Sequence, residues 1–99
     1  MESQLIGKYV IVRTYSAGVF AGILRAREGK EIILEQSRRL WYWSGSASLS
    51  QLAVNGTSDP KNCKFPAPIQ HHELTEAIEI IECSDDGRRS IEMVKIWEC

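Results

Sequence analysis

The chain has 99 residues, one quarter of them charged, and a formal net charge of −1 at neutral pH. A chain of this length is expected to form a single domain, residues 1–99, with an adequate but not a large core. The near-neutral charge excludes a general electrostatic attraction to nucleic acid or to anionic membranes, so nucleic acid is not the expected partner.

The cysteines and the N-terminus indicate a cytoplasmic setting. Cys63, Cys83 and Cys99 are odd in number and widely spaced, and they form no C-x-x-C pair, which argues against a structural zinc site. Free thiols are typical of a reducing compartment. The start, Met1 to Gln4, shows no basic region leading into an apolar stretch, and no run approaches the ~18 apolar residues of a membrane span. We therefore expect no membrane partner.

The first third of the chain predicts three strands joined by turns. Tyr9–Thr14, Val19–Arg27 and Glu31–Glu35 are rich in β-branched residues, and Gly, Ser and charged turn residues separate them. Gly22 lies inside the second run and predicts a bend or a bulge there.

The middle of the chain predicts one short helix. Trp41–Ser58 contains no charged residue, although one quarter of the whole chain is charged. Within it Leu49, Leu52 and Ala53 recur at helical spacing. We expect the helix at about Ser48–Val54.

The last part predicts a proline-containing loop and a hairpin. Thr57–His72 carries all three prolines and is expected to be an extended loop. Ala77–Cys83 and Ile91–Trp97 are predicted as strands, with Ser84–Gly87 as the turn between them. The whole pattern predicts a mostly β (α+β) fold, a small SH3-like or Sm-like barrel of about five strands with one short helix.

The segment before the predicted helix concentrates groups that suit a phosphorylated aromatic ligand. Arginine forks match phosphate oxygens, aromatic faces stack on bases, and serine hydroxyls form hydrogen bonds with little bulk. The candidate ligand-binding residues are Arg38, Arg39, Trp41, Tyr42, Trp43, Ser46 and Ser48. Strand alternation would send Tyr42 to the face opposite Trp41 and Trp43, so we expect either Tyr42 or the tryptophan pair to stack on the ligand. The alternative is that the aromatic block packs in the core or in a subunit interface, which an uncharged stretch also suits.

Motifs for catalysis are missing from the sequence. The tandem His71 and His72 are neighbours that would point apart in a strand, which argues against a shared metal ion. A nucleophile elbow would need serine where Ala47 stands. Cys63 and His71 would form a nucleophile–base pair only by a chance arrangement in the fold. We therefore predict a protein that is not an enzyme and that has no catalytic residues, no metal site and no cofactor.

Five blocks spread over nearly the whole chain carry a resemblance to a known family: Val10–Val19, Arg39–Trp43, Ala47–Ala53, Cys63–Pro66 and Leu74–Ile81. They resemble a family of small tailed-phage proteins of unknown function. The resemblance implies a phage origin and the host cytoplasm as the setting. Small accessory phage proteins often counter host defence, and one class sequesters nucleotide immune signals.

Together, the resemblance and the candidate site predict a binding function. We expect a homo-oligomer, dimer to hexamer, that sequesters a nucleotide-derived immune signal without catalysis, such as a cyclic oligonucleotide or an ADP-ribose derivative. Two alternatives stay open. One is an Sm-like nucleic-acid binder that uses clustered arginines among Arg25, Arg27, Arg38 and Arg39, and the other is an inhibitor that binds a host protein through its aromatic patch.

Overall fold

A computed structural model describes residues 4–98, so Met1 to Ser3 and the third cysteine, Cys99, lie outside the described residues. The fold is α+β. Its strands are β1 (Tyr9–Thr14), β2 (Val19–Glu28), β3 (Glu31–Arg39), β4 (Ile69–Leu74) and β5 (Ala77–Glu82), and its helices are α1 (Leu49–Asn55), α2 (Asp85–Met93) and a 3-10 turn at Pro60–Asn62. The strands form one sheet in the order β4-β3-β2-β1-β5, and every neighbouring pair is antiparallel.

The predicted first three strands and α1 are present, but β3 continues beyond the predicted Glu35 to Arg39. The β2–β3 register shifts between Ala21 and Ile23, which is the irregularity predicted at Gly22. A β-carbon at Gly22 would lie 2.9 Å from the carbonyl oxygen of Glu35, so only glycine fits opposite this bulge. At α1, the Ser48 side chain caps the helix by accepting a hydrogen bond from the backbone N–H of its third residue.

The sheet is strongly curled. β4 ends at Leu74 and β5 begins at Ala77, although these strands lie at opposite edges of the sheet. Because so short a connection spans only ~10 Å, the two edges approach each other at this end. There the Ala77 N–H donates to the Lys30 carbonyl, at 3.0 Å. Within residues 4–98 no ladder joins β4 to β5, so the sheet is not shown to close into the predicted barrel.

Two apolar clusters occupy the two faces of the sheet. The cluster within the curl consists of Val10, Val12, Phe20, Leu24, Ile32, Leu34, Leu74 and Ala77. The cluster under the helices consists of Tyr9, Ile11, Ala21, Leu40, Leu52, Ala53, Cys63, Phe65, Ile91 and Val94. All members of the first cluster come from strands, so the curvature of the sheet itself removes them from water.

The predicted final strand Ile91–Trp97 is wrong, because its first three residues belong to the helix α2 and, of the rest, only Ile96 forms a β-bridge, with Phe65. Residues 4–98 therefore form two α-helices and not one. Ser84 is the N-cap of α2, and its hydroxyl accepts a hydrogen bond from the Gly87 N–H at 2.9 Å. Gly87, Ile91 and Val94 are all buried, which is the i, i+4, i+7 spacing of a helix packed on one side. The Asp-Gly pair, typical of a hairpin turn, instead lies in the first turn of this helix.

The predicted loop Thr57–His72 is wrong at its C-terminal end. β4 begins at Ile69 and pairs with β3, so that His71 lies opposite Glu35 and His72 opposite Leu34. Among residues 4–98, no helix combines the length and the apolar character that crossing a membrane requires.

Candidate functional site

The candidate site is built on the connection between β3 and α1. We call residues 40–48 the aromatic segment. The period-two spacing of its tryptophans is typical of a strand, but the segment is not one. Only Tyr42 forms a β-bridge, with Lys64. The rings of the segment therefore take their directions from the local loop and not from strand alternation.

Polar contacts with residues 57–63 hold the aromatic segment in place. The Ser44 hydroxyl donates to the Asp59 carboxylate at 2.9 Å, and the Thr57 hydroxyl donates to the Ser44 carbonyl. Gly45 has φ +80°, and a β-carbon there would lie 2.4 Å from the Asp59 nitrogen. The hydrogen bonds that the Asp59 carboxylate accepts from Asn62 and Ser44 lower its pKa, which keeps it ionised as the anchor of this network. The segment is thus a fixed platform for its exposed rings.

Arg38 and Arg39 point to opposite faces of the sheet, as neighbours in a strand must. Arg38 is only 4% exposed. Its guanidinium donates to four backbone carbonyl groups, those of Phe65, Pro66, Ile91 and Val94, at 2.6–3.0 Å. Burial lowers the pKa of this group. Arg38 therefore connects β3 to the C-terminal segment and does not reach the aromatic segment's surface.

Arg39 lies at the surface of the other face. Its Nη1 donates to the Ala17 carbonyl at 2.6 Å, and its Cζ lies 4.5 Å from the centre of the Phe20 ring. Nε and Nη2 form no hydrogen bond to the described residues. Arg39 is thus held over an aromatic face with donors still available to a ligand.

The structure brings Arg39, Trp41 and Trp43 together around one cleft of about 170 Å³. The turn between β1 and β2, at Ala17 to Val19, forms the other wall. Trp41 is 64% exposed, whereas Trp43 packs partly against the core cluster under the helices. One ring of the pair is therefore available for stacking, and the other supports it.

Tyr42 and the two serines lie outside this cleft. The Tyr42 backbone exchanges hydrogen bonds with Lys64, and the Lys64 ammonium lies 5.9 Å from the Tyr42 ring centre. The Ser46 hydroxyl donates to the Gly56 carbonyl at 3.2 Å, and the Ser48 hydroxyl caps α1. These hydroxyls hold the local loop and helix together.

Sequence reasoning missed the β1–β2 turn as part of the cleft. Gly18 has φ +110°, and a β-carbon there would lie 3.5 Å from Nη1 of Arg39. The turn signal was visible in the sequence, but its proximity to Arg39 follows from the pairing of β2 with β3, which places Phe20 opposite Arg39.

A serine–histidine pair also escaped the sequence analysis. The Ser37 hydroxyl lies 3.0 Å from Nδ1 of His72, which is hydrogen-bonding distance for a nucleophile and its base. Ser37 is only 2% exposed, so a substrate has no access to its oxygen. Burial and the nearby Arg39 charge lower the pKa of His72. The pair joins β3 to β4, and because the Ser37 hydroxyl is buried we assign the pair a structural role.

Metal-ligating and redox groups are dispersed over the described part of the chain. Residues 4–98 contain no group of three or more His, Cys, Asp or Glu side chains placed to hold a metal ion. Cys63 is buried and Cys83 half-buried, and both are free thiols. Burial raises the pKa of the Cys83 thiol to about 12, which leaves it protonated and unreactive at neutral pH.

Comparison with known proteins identifies a family but no activity. No curated protein and no solved structure matches the chain. One family model does match, but its description gives neither a phage origin nor a role against host defence, so both stay predictions. It is DUF6948, a domain of unknown function, and because it matches residues 7–91, the greater part of the sequence, the chain belongs to that family.

Proposed function

We propose that this protein is a binding protein without catalytic activity that sequesters a nucleotide-derived small molecule at the Arg39–Trp41–Trp43 cleft. The observation that carries the proposal is the position of Trp41, an aromatic ring that is 64% exposed and shares a cleft with a partly free arginine. A base stacked on such a ring gains ~1–3 kcal/mol. A phosphate on the guanidinium adds charge-assisted hydrogen bonds.

The size of the cleft supports assembly of the site from more than one chain. Its volume of about 170 Å³ is below the ~300–1,000 Å³ of most small-molecule sites. A second copy placed against the uncharged Trp41–Ser58 stretch would enclose the exposed ring. We propose a homo-oligomer, dimer to hexamer, for this reason. In the setting that the phage resemblance implies, the host cytoplasm, the ligand would be a nucleotide immune signal.

The charge distribution favours a small ligand over a nucleic acid. Four exposed or half-buried arginines form ion pairs with carboxylates: Arg13 with Glu79, Arg25 with Glu35, Arg88 with Glu92 and Arg89 with Asp86. Arg38 is buried, so it cannot join Arg25 and Arg27 in a basic stripe. Nucleic-acid binding needs several free cations in register with phosphates.

A second candidate is the binding of a host protein through an exposed aromatic patch. Lys64 lies between two rings on the surface, 5.9 Å from the centre of Tyr42 and 5.7 Å from the centre of Trp97. Tyr and Trp are enriched where proteins bind one another. This patch is separate from the cleft, so substitutions distinguish the two functions.

Calorimetry with cyclic di-AMP, cyclic di-GMP and ADP-ribose tests the proposal. We expect at least one of them to bind at about micromolar Kd. Trp41→Ala and Arg39→Gln should each weaken that binding about tenfold or more. Tyr42→Ala is the matched control, an adjacent exposed aromatic outside the cleft, and should change Kd less than about twofold. No binding by the parent protein, or indifference to both cleft variants, would contradict the proposal.

The absence of catalysis is tested on the same complex. The bound nucleotide, released by denaturation and analysed by mass spectrometry, should be intact. Product formed over many turnovers per protein would show an enzyme instead.

A further inference from the structure

A second cavity, of about 260 Å³, lies beside the buried Arg38. Its lining residues are Tyr9, Gln36, Arg38, Pro68, Glu92 and Ile96. Apolar surface comes from the proline, the isoleucine and the tyrosine ring, and polar groups come from the others. The cavity shares no lining residue with the Arg39 cleft.

A strained backbone position lies at this cavity. Gln36 has φ +52° and is the one residue other than glycine among residues 4–98 with a positive φ. It occupies the bulge opposite Gly22, where the β2–β3 register shifts. Glycine would adopt this conformation at less cost than glutamine. Strained positions concentrate at functional sites, and this one belongs to the lining of the cavity.

Arg38 supplies a buried positive charge at the cavity. It forms no ion pair with a carboxylate of residues 4–98, and its partners are the four carbonyl groups described above. Those bonds use the Nε hydrogen, both Nη2 hydrogens and one Nη1 hydrogen, so one Nη1 hydrogen has no partner in the described part of the chain. A buried cation without a counter-ion attracts an anion strongly.

The acidic residue at the cavity is paired with an arginine. Glu92 accepts a hydrogen bond from Nε of Arg88 at 3.2 Å. The Arg88 guanidinium also lies 4.8 Å from the centre of the Tyr9 ring. Burial raises the pKa of Tyr9, so its phenol stays neutral and offers a hydrogen-bond donor. With two arginines, one carboxylate and a neutral phenol, the surroundings of the cavity are net positive.

The geometry points to a binding site for a small organic anion, a carboxylate or phosphate ester with an apolar body, whose charged end meets Arg38. The apolar body would pack between Pro68 and Ile96, and the Gln36 amide would bind a remaining polar group. This inference does not rest on the proposed nucleotide function, because it concerns a different cavity and a different arginine.

Titration with benzoate, followed by NMR of the backbone amides, tests this site. We expect saturable shifts at Tyr9, Gln36 and Ile96, with a Kd of about 1 mM or tighter. Benzamide has the same shape without the charge and should bind at least about tenfold more weakly. Phenyl phosphate should bind as benzoate does, because it carries an oxyanion on the same apolar ring. Equal binding of benzoate and benzamide, or shifts confined to Trp41 and Arg39, would overturn the assignment.

Two variants keep the test independent of folding. Ile96→Trp fills the cavity and should abolish the benzoate shifts. Its control, Ile78→Trp, alters an isoleucine of similar exposure on β5 (45% against 47%) and should leave binding within about twofold. Gln36→Gly relieves the positive φ while it removes the amide, so it should weaken benzoate binding without lowering the melting temperature. Unchanged binding in Ile96→Trp would contradict the site.

Discussion

Gly87 packs directly against the backbone of Ala53. A β-carbon at position 87 would lie 1.8 Å from the Ala53 carbonyl oxygen, closer than any real contact allows. Both residues are buried, and the Ser84 N–H and hydroxyl also donate to the Ala53 carbonyl. The first turn of α2 can therefore meet the last turn of α1 only where residue 87 has no side chain.

Gly87→Ala should destabilise the protein by about 2 kcal/mol or more, because the two helices must separate to accept the methyl group. Chemical denaturation followed by circular dichroism measures the change. Arg89→Ala is the control, since it also introduces alanine into α2 but at a side chain that is 67% exposed. The control should change stability by less than about 0.5 kcal/mol. Equal stability of Gly87→Ala and the parent would contradict the close approach.

Arg38→Met should destabilise the protein by about 3 kcal/mol or more. It removes hydrogen bonds to four carbonyl groups. The Phe65 and Ile91 carbonyls keep one backbone donor each, whereas those of Pro66 and Val94 have no other donor among residues 4–98. Urea denaturation measures the loss. Arg25→Met is the comparison, because its ion pair with Glu35 is half-exposed and worth less than about 1 kcal/mol. Similar small losses in both variants would show that Arg38 is not a structural connection.

Stability should fall as the pH rises above about 9. Burial raises the pKa of the Cys83 thiol from 9.0 in the unfolded chain to about 12 in the folded protein. Between these values the unfolded state releases a proton that the folded state retains, so alkali favours unfolding. In Cys83→Ala, the free energy of unfolding should decrease less steeply with pH, which denaturation curves recorded between about pH 8 and 11 will measure. An equally steep loss of stability in the variant and in the parent would show that a group other than Cys83 causes it.

The same burial predicts a slow reaction of Cys83 with thiol reagents. In the folded protein at about pH 8, labelling with iodoacetamide should be much slower at Cys83 than in the denatured chain, because almost no thiolate is present. Mass spectrometry of peptides separates this cysteine from the others. Equal rates in the folded and denatured states would contradict its protected position.

Assembly is predicted through the uncharged Trp41–Ser58 stretch. Trp41 and Val54 are 64% and 53% exposed in the single chain, which suits an apolar interface. Light scattering at micromolar concentration should show a dimer or larger species, up to a hexamer. Val54→Glu should shift the assembly equilibrium towards the monomer, whereas Ile78→Glu on β5 should not. A monomer at all concentrations tested would contradict the proposed oligomer.

Local patterns were sufficient to predict the first three strands, α1 and β5. In these elements the periodicity, the turn residues and the cap agree with the final structure, as at Ser48 and Gly22. Each signal acts over a few residues, so the sequence alone carries it. The family membership is also a property of the sequence, because the family model matches residues 7–91.

The roles of Arg38 and Arg39, and the identity of the last element, depended on distant contacts. The sequence offers two adjacent arginines as equivalent candidates. In the structure Arg38 is buried against the carbonyl groups of Phe65 and Ile91, whereas Arg39 lies at a surface cleft. Ser84–Gly87 carries the signal of a hairpin turn, yet it begins a helix because Gly87 fits against Ala53. Burial and packing between residues far apart in the chain select among local conformations of similar energy, which is why two conflicting short-range patterns could not decide the outcome.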